Sequence, residues 1–291
     1  MPKEFIIKLP GDFSFFHTIR SHGWSDLRPF EIDEAGQSLK YTFTEKGRPV
    51  DAVISDSVGR LNVTLSRSVV KTNTIERAIR HIFRLDEMFE EFYGRLGTER
   101  SLTWIAEAKA GRLLRSPTVW EDLVKTMCTT NCSWGLTKKM VANLVEKLGE
   151  NGTVFPTVTA MASVDEKFYR EEIKAGYRSP YFDELAKSVA NGEVDPESWL
   201  VSDLPTPELK KQIKSIKGIG DYAAENLLKL LGRYDGLALD SWLRAQFYKK
   251  HNKGKVCPDK KIIKHYSKYA DWQGLAIWCD MTEEWFIDKG K

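Results

Sequence analysis

The sequence predicts a mainly α-helical protein with a small antiparallel β-sheet at its N-terminus, an α+β class. Three observations predict it. Apolar residues alternate with polar ones in short runs up to about residue 70, whereas from residue 73 they recur at spacings of three and four. Between residues 209 and 247 two such helical stretches flank the turn Lys217-Gly218-Ile219-Gly220, and a third opens after Leu239-Asp240-Ser241-Trp242. A small β-rich domain is expected over 1–72 and a larger helical domain over 73–291.

Strands are expected over 4–8, 38–44, 49–55 and 60–67. In the last of these Leu61, Val63 and Leu65 alternate with Asn62, Thr64 and Ser66, the pattern of a half-buried strand. Residues 45–48 and 56–59 read as hairpin turns between the last three strands. The stretch FSFFHTIRSHGWSDLRPF reads as a helix followed by a loop, and no catalytic group is expected from the sheet. Beyond it, Ile75, Ala78, Ile79, Ile82 and Phe83 mark one helical face, continued by Phe89, Phe92 and Tyr93, with Asn73 or Thr74 as N-cap. Further helices are expected over 102–110, 119–128, 135–148, 157–162, 165–173, 181–191, 196–200, 221–231, 241–248, 260–268 and 272–286.

A chain of 291 residues with 42% apolar and 29% charged residues is long enough for a substantial core and has an ordinary globular composition. No apolar run approaches the roughly 18 residues of a membrane span, and the N-terminal stretch lacks a signal-peptide core, so an intracellular protein is expected. Net charge is only +3, but residues 208–255 hold 11 Lys/Arg against 5 Asp/Glu. A basic face on a near-neutral body suits a nucleic-acid backbone. Of Cys128, Cys132, Cys257 and Cys279 only the first two are close in sequence, and no histidines stand at ligand spacing. No metal site, iron–sulfur cluster or other cofactor is therefore expected, and the thiols read as reduced packing residues.

The central stretch carries the chemistry. Gly218 and Gly220 permit a tight turn that leaves unpaired N–H groups at the positive end of the next helix, a natural place for a phosphate. Lys210, Lys211, Lys214 and Lys217 crowd its approach. Asp240 stands where the chain returns. A helix over 221–231 spans about 16 Å at 1.5 Å per residue, and the eight residues after it reach up to about 26 Å. Asp240 can thus come back beside Tyr222, and its position also suits an N-cap of the following helix.

These features resemble the helix-hairpin-helix DNA glycosylases of base-excision repair, in the branch of the 8-oxoguanine and 3-methyladenine enzymes. The hairpin would be 209–232 and the aspartate loop 233–241. The likeness runs from Ile75 to Met281 and includes Gly111-Arg112-Leu113-Leu114-Arg115, Met127-Cys128-Thr129-Thr130-Asn131 and Gly176-Tyr177-Arg178. It implies that Asp240 stabilises the positive charge of the sugar and activates water. It implies that Lys217, Gly218 and Gly220 hold a DNA phosphate, and that Asn131, Tyr177 and Arg178 fill the gap left by a flipped nucleotide. Tyr222, Asn226 and Trp278 would line the base pocket.

The sequence departs from that pattern at informative places. Tyr222 stands where strand-cleaving members carry the lysine that forms a Schiff base; neither Lys217 in the turn nor Lys229 further along the helix substitutes for it. Leu136 replaces an arginine that reads the opposite cytosine, Asn226 a cysteine, Trp278 a phenylalanine and Gly274 a glutamine. The resemblance therefore implies a monofunctional glycosylase acting on double-stranded DNA, without cofactor, as a monomer, in the nucleoid, cytoplasm or nucleus. An alkylated purine is the first expected substrate, since both that lysine and the oxidised-guanine pocket residues are missing, and Trp278 could stack on a cationic base. The alternatives are an 8-oxoguanine or mismatch glycosylase, or a non-catalytic helix-hairpin-helix DNA-binding protein.

Overall fold

The computed structural model describes residues 3–33, 37–68, 72–97, 99 and 101–287. The expected domain boundary at residue 72 adjoins 69–71, and the last four residues of the expected helical domain are 288–291; both stretches lie outside the described residues. The N-terminal strands are β1 (Lys3–Lys8), β2 (Phe30–Asp33), β3 (Ser38–Thr44), β4 (Pro49–Ser57) and β5 (Arg60–Leu65). They form one antiparallel sheet in the order β1-β5-β4-β3-β2. Its register pairs Ile54 with Val63 and Tyr41 with Ala52, which sets the apolar alternates on one buried face. At the β3–β4 turn Glu45 and Arg48 exchange backbone hydrogen bonds, while Lys46 and Gly47 take φ values of 50° and 70°. Two left-handed residues match the twist of the flanking strands. The strand β2 was not expected: four residues after Pro29 are too few for their alternation to stand out.

Ahead of β2 the chain forms α1 (Phe15–Ile19). After the sheet come α2 (Thr72–Ile82), α3 (Glu90–Leu96) and α4 (Thr103–Glu107). The apolar face read through Tyr93 is not one helix. It breaks at Arg84, whose φ is 54° and whose buried side chain turns inward to donate to the Leu113 carbonyl at 2.9 Å. The rest of the chain is α5 (Val119–Thr129), α6 (Trp134–Leu148), α7 (Val158–Ala162), α8 (Glu166–Glu171), α9 (Ser179–Ala190), α10 (Thr206–Lys214), α11 (Asp221–Leu230), α12 (Ser241–His251), α13 (Asp259–Tyr266), α14 (Gln273–Thr282) and α15 (Glu284–Ile287). Two expectations shift: 196–200 is part of a 3-10 turn, and 272–286 divides into α14 and α15.

Helix α5 is buried from Val119 to Cys128, charged residues included, because it packs against α11, α6 and the 3-10 turn over 196–201, with Tyr41 of the sheet reaching it. Its charged groups are paired as burial demands. Tyr41 of β3 donates to Glu121 at 2.6 Å, Lys125 pairs with the same carboxylate at 2.6 Å, and Trp24 donates to Asp122 at 2.7 Å. One buried apolar cluster runs from Ile7 in β1 to Met281 in α14. Buried arginines fix the far end of α11: Arg84 donates to the Lys229 carbonyl at 2.8 Å and also to that of Leu230, and Arg115 reaches Leu230 at 3.2 Å. Cations on the last carbonyls suit the negative end of a helix.

Candidate active site

Helices α10 and α11 form the expected hairpin. Gly218 has φ +89°, and a Cβ there would come within 2.6 Å of the Tyr181 ring, so both backbone and space require glycine. Gly220 differs: its φ of −90° is open to any residue and nothing lies within 4 Å of a Cβ, so this N-cap leaves its backbone open rather than strained. The lysine approach is less free than its composition suggests. Lys214 pairs with Asp221 at 2.9 Å, Lys210 with Asp221 at 3.0 Å and with Glu225, and Lys217 with Glu184 at 2.8 Å. Those lysines hold the Asp221 carboxyl below its ordinary range through hydrogen bonds from Lys214 and Lys210.

The return loop is strapped on both sides. Gly274 donates to the Tyr234 carbonyl at 2.6 Å and has no room for a Cβ against Gly236, Gln273 donates to Asp235 at 2.7 Å, and Glu225 accepts from Ala238 N–H. Gly274 therefore braces the loop rather than lining a base pocket. Asp240 ends the loop in extended conformation and accepts from Leu243 N–H at 2.7 Å, the N-cap of α12. The Tyr222 phenol meets it across the hairpin. Desolvation in the cleft pushes that phenol up to about 12, helped by the charge of Asp240.

Asp240, Tyr222, Asn226, Trp278 and Asn131 all line one cleft of about 1120 Å³. Tyr222, Asn226 and Lys229 stand at i, i+4 and i+7, so one face of α11 supplies a descending wall. Tyr222 at its rim is 36% exposed and Lys229 at its base 2%. Asn226 bonds back to the Tyr222 carbonyl at 2.9 Å. Trp278 donates to Ser21 at 2.8 Å, and with Trp285 it faces the cleft, whereas Trp272 stacks on Tyr234 with centroids 5.1 Å apart. Lys229, set aside from sequence alone, donates to the Leu237 carbonyl at 3.1 Å and lies 5.9 Å from the Trp278 ring centre. Burial lowers its ammonium to about 8, against the charges of Glu225, Asp240 and Cys279.

The opposite wall comes from the stretch between β1 and β2 that reads as a helix followed by a loop. His22 hydrogen bonds through Nε2 to the Leu114 carbonyl, and burial lowers it to about 4 despite that bond, with the charges of Arg84, Lys125 and Lys229 adding to the effect. It is neutral at pH 7, so Nε2 carries the hydrogen and Nδ1 is an acceptor. Trp24 packs on it at 4.7 Å and is held by Asp122, whose carboxyl burial raises to about 6 against bonds from Ser116 and Trp24. Trp134 lies flat on Gly23, where a Cβ has no space. Nothing in the sequence marks His22 or Trp24, because their partners are some 90 residues away or more.

Asn131 sits at the cleft rim, exposed, with φ 45°. Its loop is tied to the Gly176-Tyr177-Arg178 segment, for Tyr177 donates to the Thr130 carbonyl at 3.1 Å and Arg178 to the Thr130 hydroxyl at 3.0 Å. Tyr177 is exposed, but Arg178 is 2% exposed, so it supports the loop from beneath instead of offering a surface contact. Leu136 is 37% exposed beside that rim. All four cysteines are free thiols. Folding also brings together His251, His265 and Asp280, with possible ligand atoms within 4.8 Å, a grouping that sequence spacing hides. Asp280 is already engaged there by His251 at 2.7 Å, Tyr266 at 2.6 Å and Lys250 at 2.7 Å, so the set reads as a closed polar network beneath α12.

No protein-family model and no curated protein sequence matches the chain. Solved structures do. The 3-methyladenine DNA glycosylase from Archaeoglobus fulgidus is similar with a TM-score of 0.76 at 18% identity, covering 97% of this chain and 99% of that one. The Clostridium acetobutylicum 8-oxoguanine glycosylase/lyase in its apo form gives 0.75 at 20% identity, covering 97% and 98%. The same enzyme in complex with double-stranded DNA containing cytosine opposite 8-oxoG gives 0.73 at 18%, covering 99% of both chains. The chain has the fold of the helix-hairpin-helix DNA glycosylases over nearly its whole length. Among the described residues, no helix is long and apolar enough to cross a membrane.

Proposed function

We propose that this protein is a monofunctional DNA glycosylase that binds duplex DNA as a monomer, draws a damaged purine into the cleft and hydrolyses its N-glycosidic bond. One observation carries the reading: Asp240, fixed as the cap of α12, shares a cleft wall with Tyr222, Asn226 and Trp278. As the bond from C1′ to the base breaks, positive charge grows on the sugar, and a rigid carboxylate stabilises it and takes a proton from the attacking water. Tyr222 stays protonated at neutral pH beside the charge of that carboxylate. A phenol forms no imine, so the product is an abasic site in an uncut strand. The open backbone at Gly218–Gly220 offers N–H groups to a phosphate, and exposed Asn131 at the rim suits the space a flipped nucleotide vacates. Similarity to structures named as 3-methyladenine and 8-oxoguanine glycosylases supports base excision.

The test is base release from duplexes carrying alkylated purines, 8-oxoguanine, uracil or a thymine mismatch, comparing wild type with Asp240→Asn. Asparagine caps a helix about as well as aspartate, so the variant keeps its fold. We expect release that needs alkali to reveal a break and falls at least about 100-fold in the variant. Equal DNA binding by both proteins with no release from any lesion would instead favour a non-catalytic clamp. Strand breaks without alkali would mean that a lysine forms the imine. An alkylated purine was expected because the imine-forming lysine and the oxidised-guanine pocket residues are missing, but the Lys229 ammonium lies near the Trp278 ring, so the class of base turns on what Lys229 does.

A further inference from the structure

Lys229 is the one group of the cleft that neither the capped aspartate nor the DNA-contacting rim explains. It is 2% exposed, yet no carboxylate of the described residues forms an ion pair with it. An ammonium has three N–H donors, and the bond to Leu237 uses one. Burying an unpaired cation is costly, and such a group at the base of a cleft is a candidate for function. Its place is set by the helix: two turns below Tyr222 on the same face of α11, with Trp278 on one side and neutral His22 on the opposite wall. A base drawn in past Tyr222 and Asn226 ends against it.

We infer that Lys229 is a catalytic and specificity-determining residue of the glycosylase reaction, donating from its ammonium to an acceptor atom of the flipped base and so selecting uncharged purines, such as 8-oxoguanine or hypoxanthine, over cationic alkylated ones. The inference rests on the glycosylase reading. The C1′–N9 bond breaks with its electron pair passing to the base. Water forms the new bond to C1′ and gives its proton to Asp240, while the departing base takes a proton from Lys229. Atoms and charge balance without any further reactant. A base that is already a cation leaves without that proton and is repelled on the way in. The same charge that helps an uncharged base depart therefore excludes the charged one.

The experiment is single-turnover base release from duplexes carrying 8-oxoguanine, hypoxanthine or 7-methylguanine, with wild type, Lys229→Met and Lys229→Gln. Binding to an abasic duplex, which lacks the base, checks that each variant is folded. Wild type should release the uncharged bases faster than 7-methylguanine. Lys229→Met should lose about 100-fold on the uncharged bases, gain or hold on 7-methylguanine, and bind the abasic duplex as wild type does. Lys229→Gln, which keeps a donor but no charge, should recover part of the loss. Equal losses on all three bases, or unchanged rates in both variants while Asp240→Asn is inactive, would overturn the role of Lys229 and leave the glycosylase reading standing. A covalent adduct trapped on Lys229 by borohydride would overturn it too, since the amine would then be attacking the sugar. No release of any base by wild type would remove both.

Discussion

The two sides of the cleft are built on different physical terms. On the sugar side, Asp240 and Tyr222 share the cleft, and the carboxylate is held by a backbone N–H at 2.7 Å with the phenol beside it. On the base side, Lys229 is buried and His22 half-buried, each bonded to a backbone carbonyl, and both are shifted toward neutrality by desolvation. The sugar side comes from one local hairpin and its return loop, so its geometry survives small changes around it. The base side is assembled from the N-terminal stretch, α11 and α14, and its chemistry depends on staying dry. The difference separates orientation from electrostatics: one wall aims a charge, the other tunes one.

The largest effect should come from the hinge of the sugar side. Gly218→Ala puts a Cβ where φ is +89° and the Tyr181 ring stands 2.6 Å away. It should cost about 1–3 kcal/mol of stability and, because the turn carries the proposed phosphate contact, about tenfold in affinity for duplex DNA. Gly220→Ala serves as the contrast, since nothing crowds its Cβ and its φ is ordinary. Its fold should be unchanged in a thermal melt. If both variants melt alike, the turn is not the strained element described.

A second, smaller effect tests the electrostatics of the base side. Lys229 has an ordinary value of 10.5 and a folded value of about 8, facing Glu225 on its own helix, Asp240 at the start of α12, Cys279 on α14 and neutral His22. Between those values the unfolded chain holds the proton and the folded one does not, so this group makes stability rise with pH from about 8 to 10.5. Below pH 8 its full cost is present. Lys229→Met should therefore melt a few degrees above wild type at pH 7, with the gap narrowing as pH climbs through 8 to 10. A gap independent of pH would mean that packing, not charge, separates the two proteins.

How much was legible in the sequence follows the same division. Asp240, Tyr222 and Asn226 could be placed together because a turn, one helix and one return loop connect them within 19 residues. Lys229 could not be placed, since its depth depends on Trp278 and the loop at Leu237. The break at Arg84 was invisible because the apolar period continues through Phe83, while the cause lies in a guanidinium reaching Leu113 and Lys229. His22 and Trp24 were read as loop residues because their partners, Leu114 and Asp122, sit on another part of the chain. Arg178 looked like a surface contact beside Tyr177, and only burial distinguishes the two. Local chemistry was readable, and groups whose character depends on burial were not.

The smallest expected effect concerns the join between the two walls. Tyr222→Phe keeps the ring above Asn226 and removes only the hydroxyl that feels the charge of Asp240. The carboxylate retains its cap from Leu243, so its position holds, and base release should fall by no more than about tenfold, because the bond that fixes Asp240 is kept. Abasic-duplex binding and melting temperature should not change. A loss greater than 100-fold would place the phenol in the chemistry itself, as a proton donor rather than a support. The sugar side would then share the proton-transfer role that Lys229 is given on the base side.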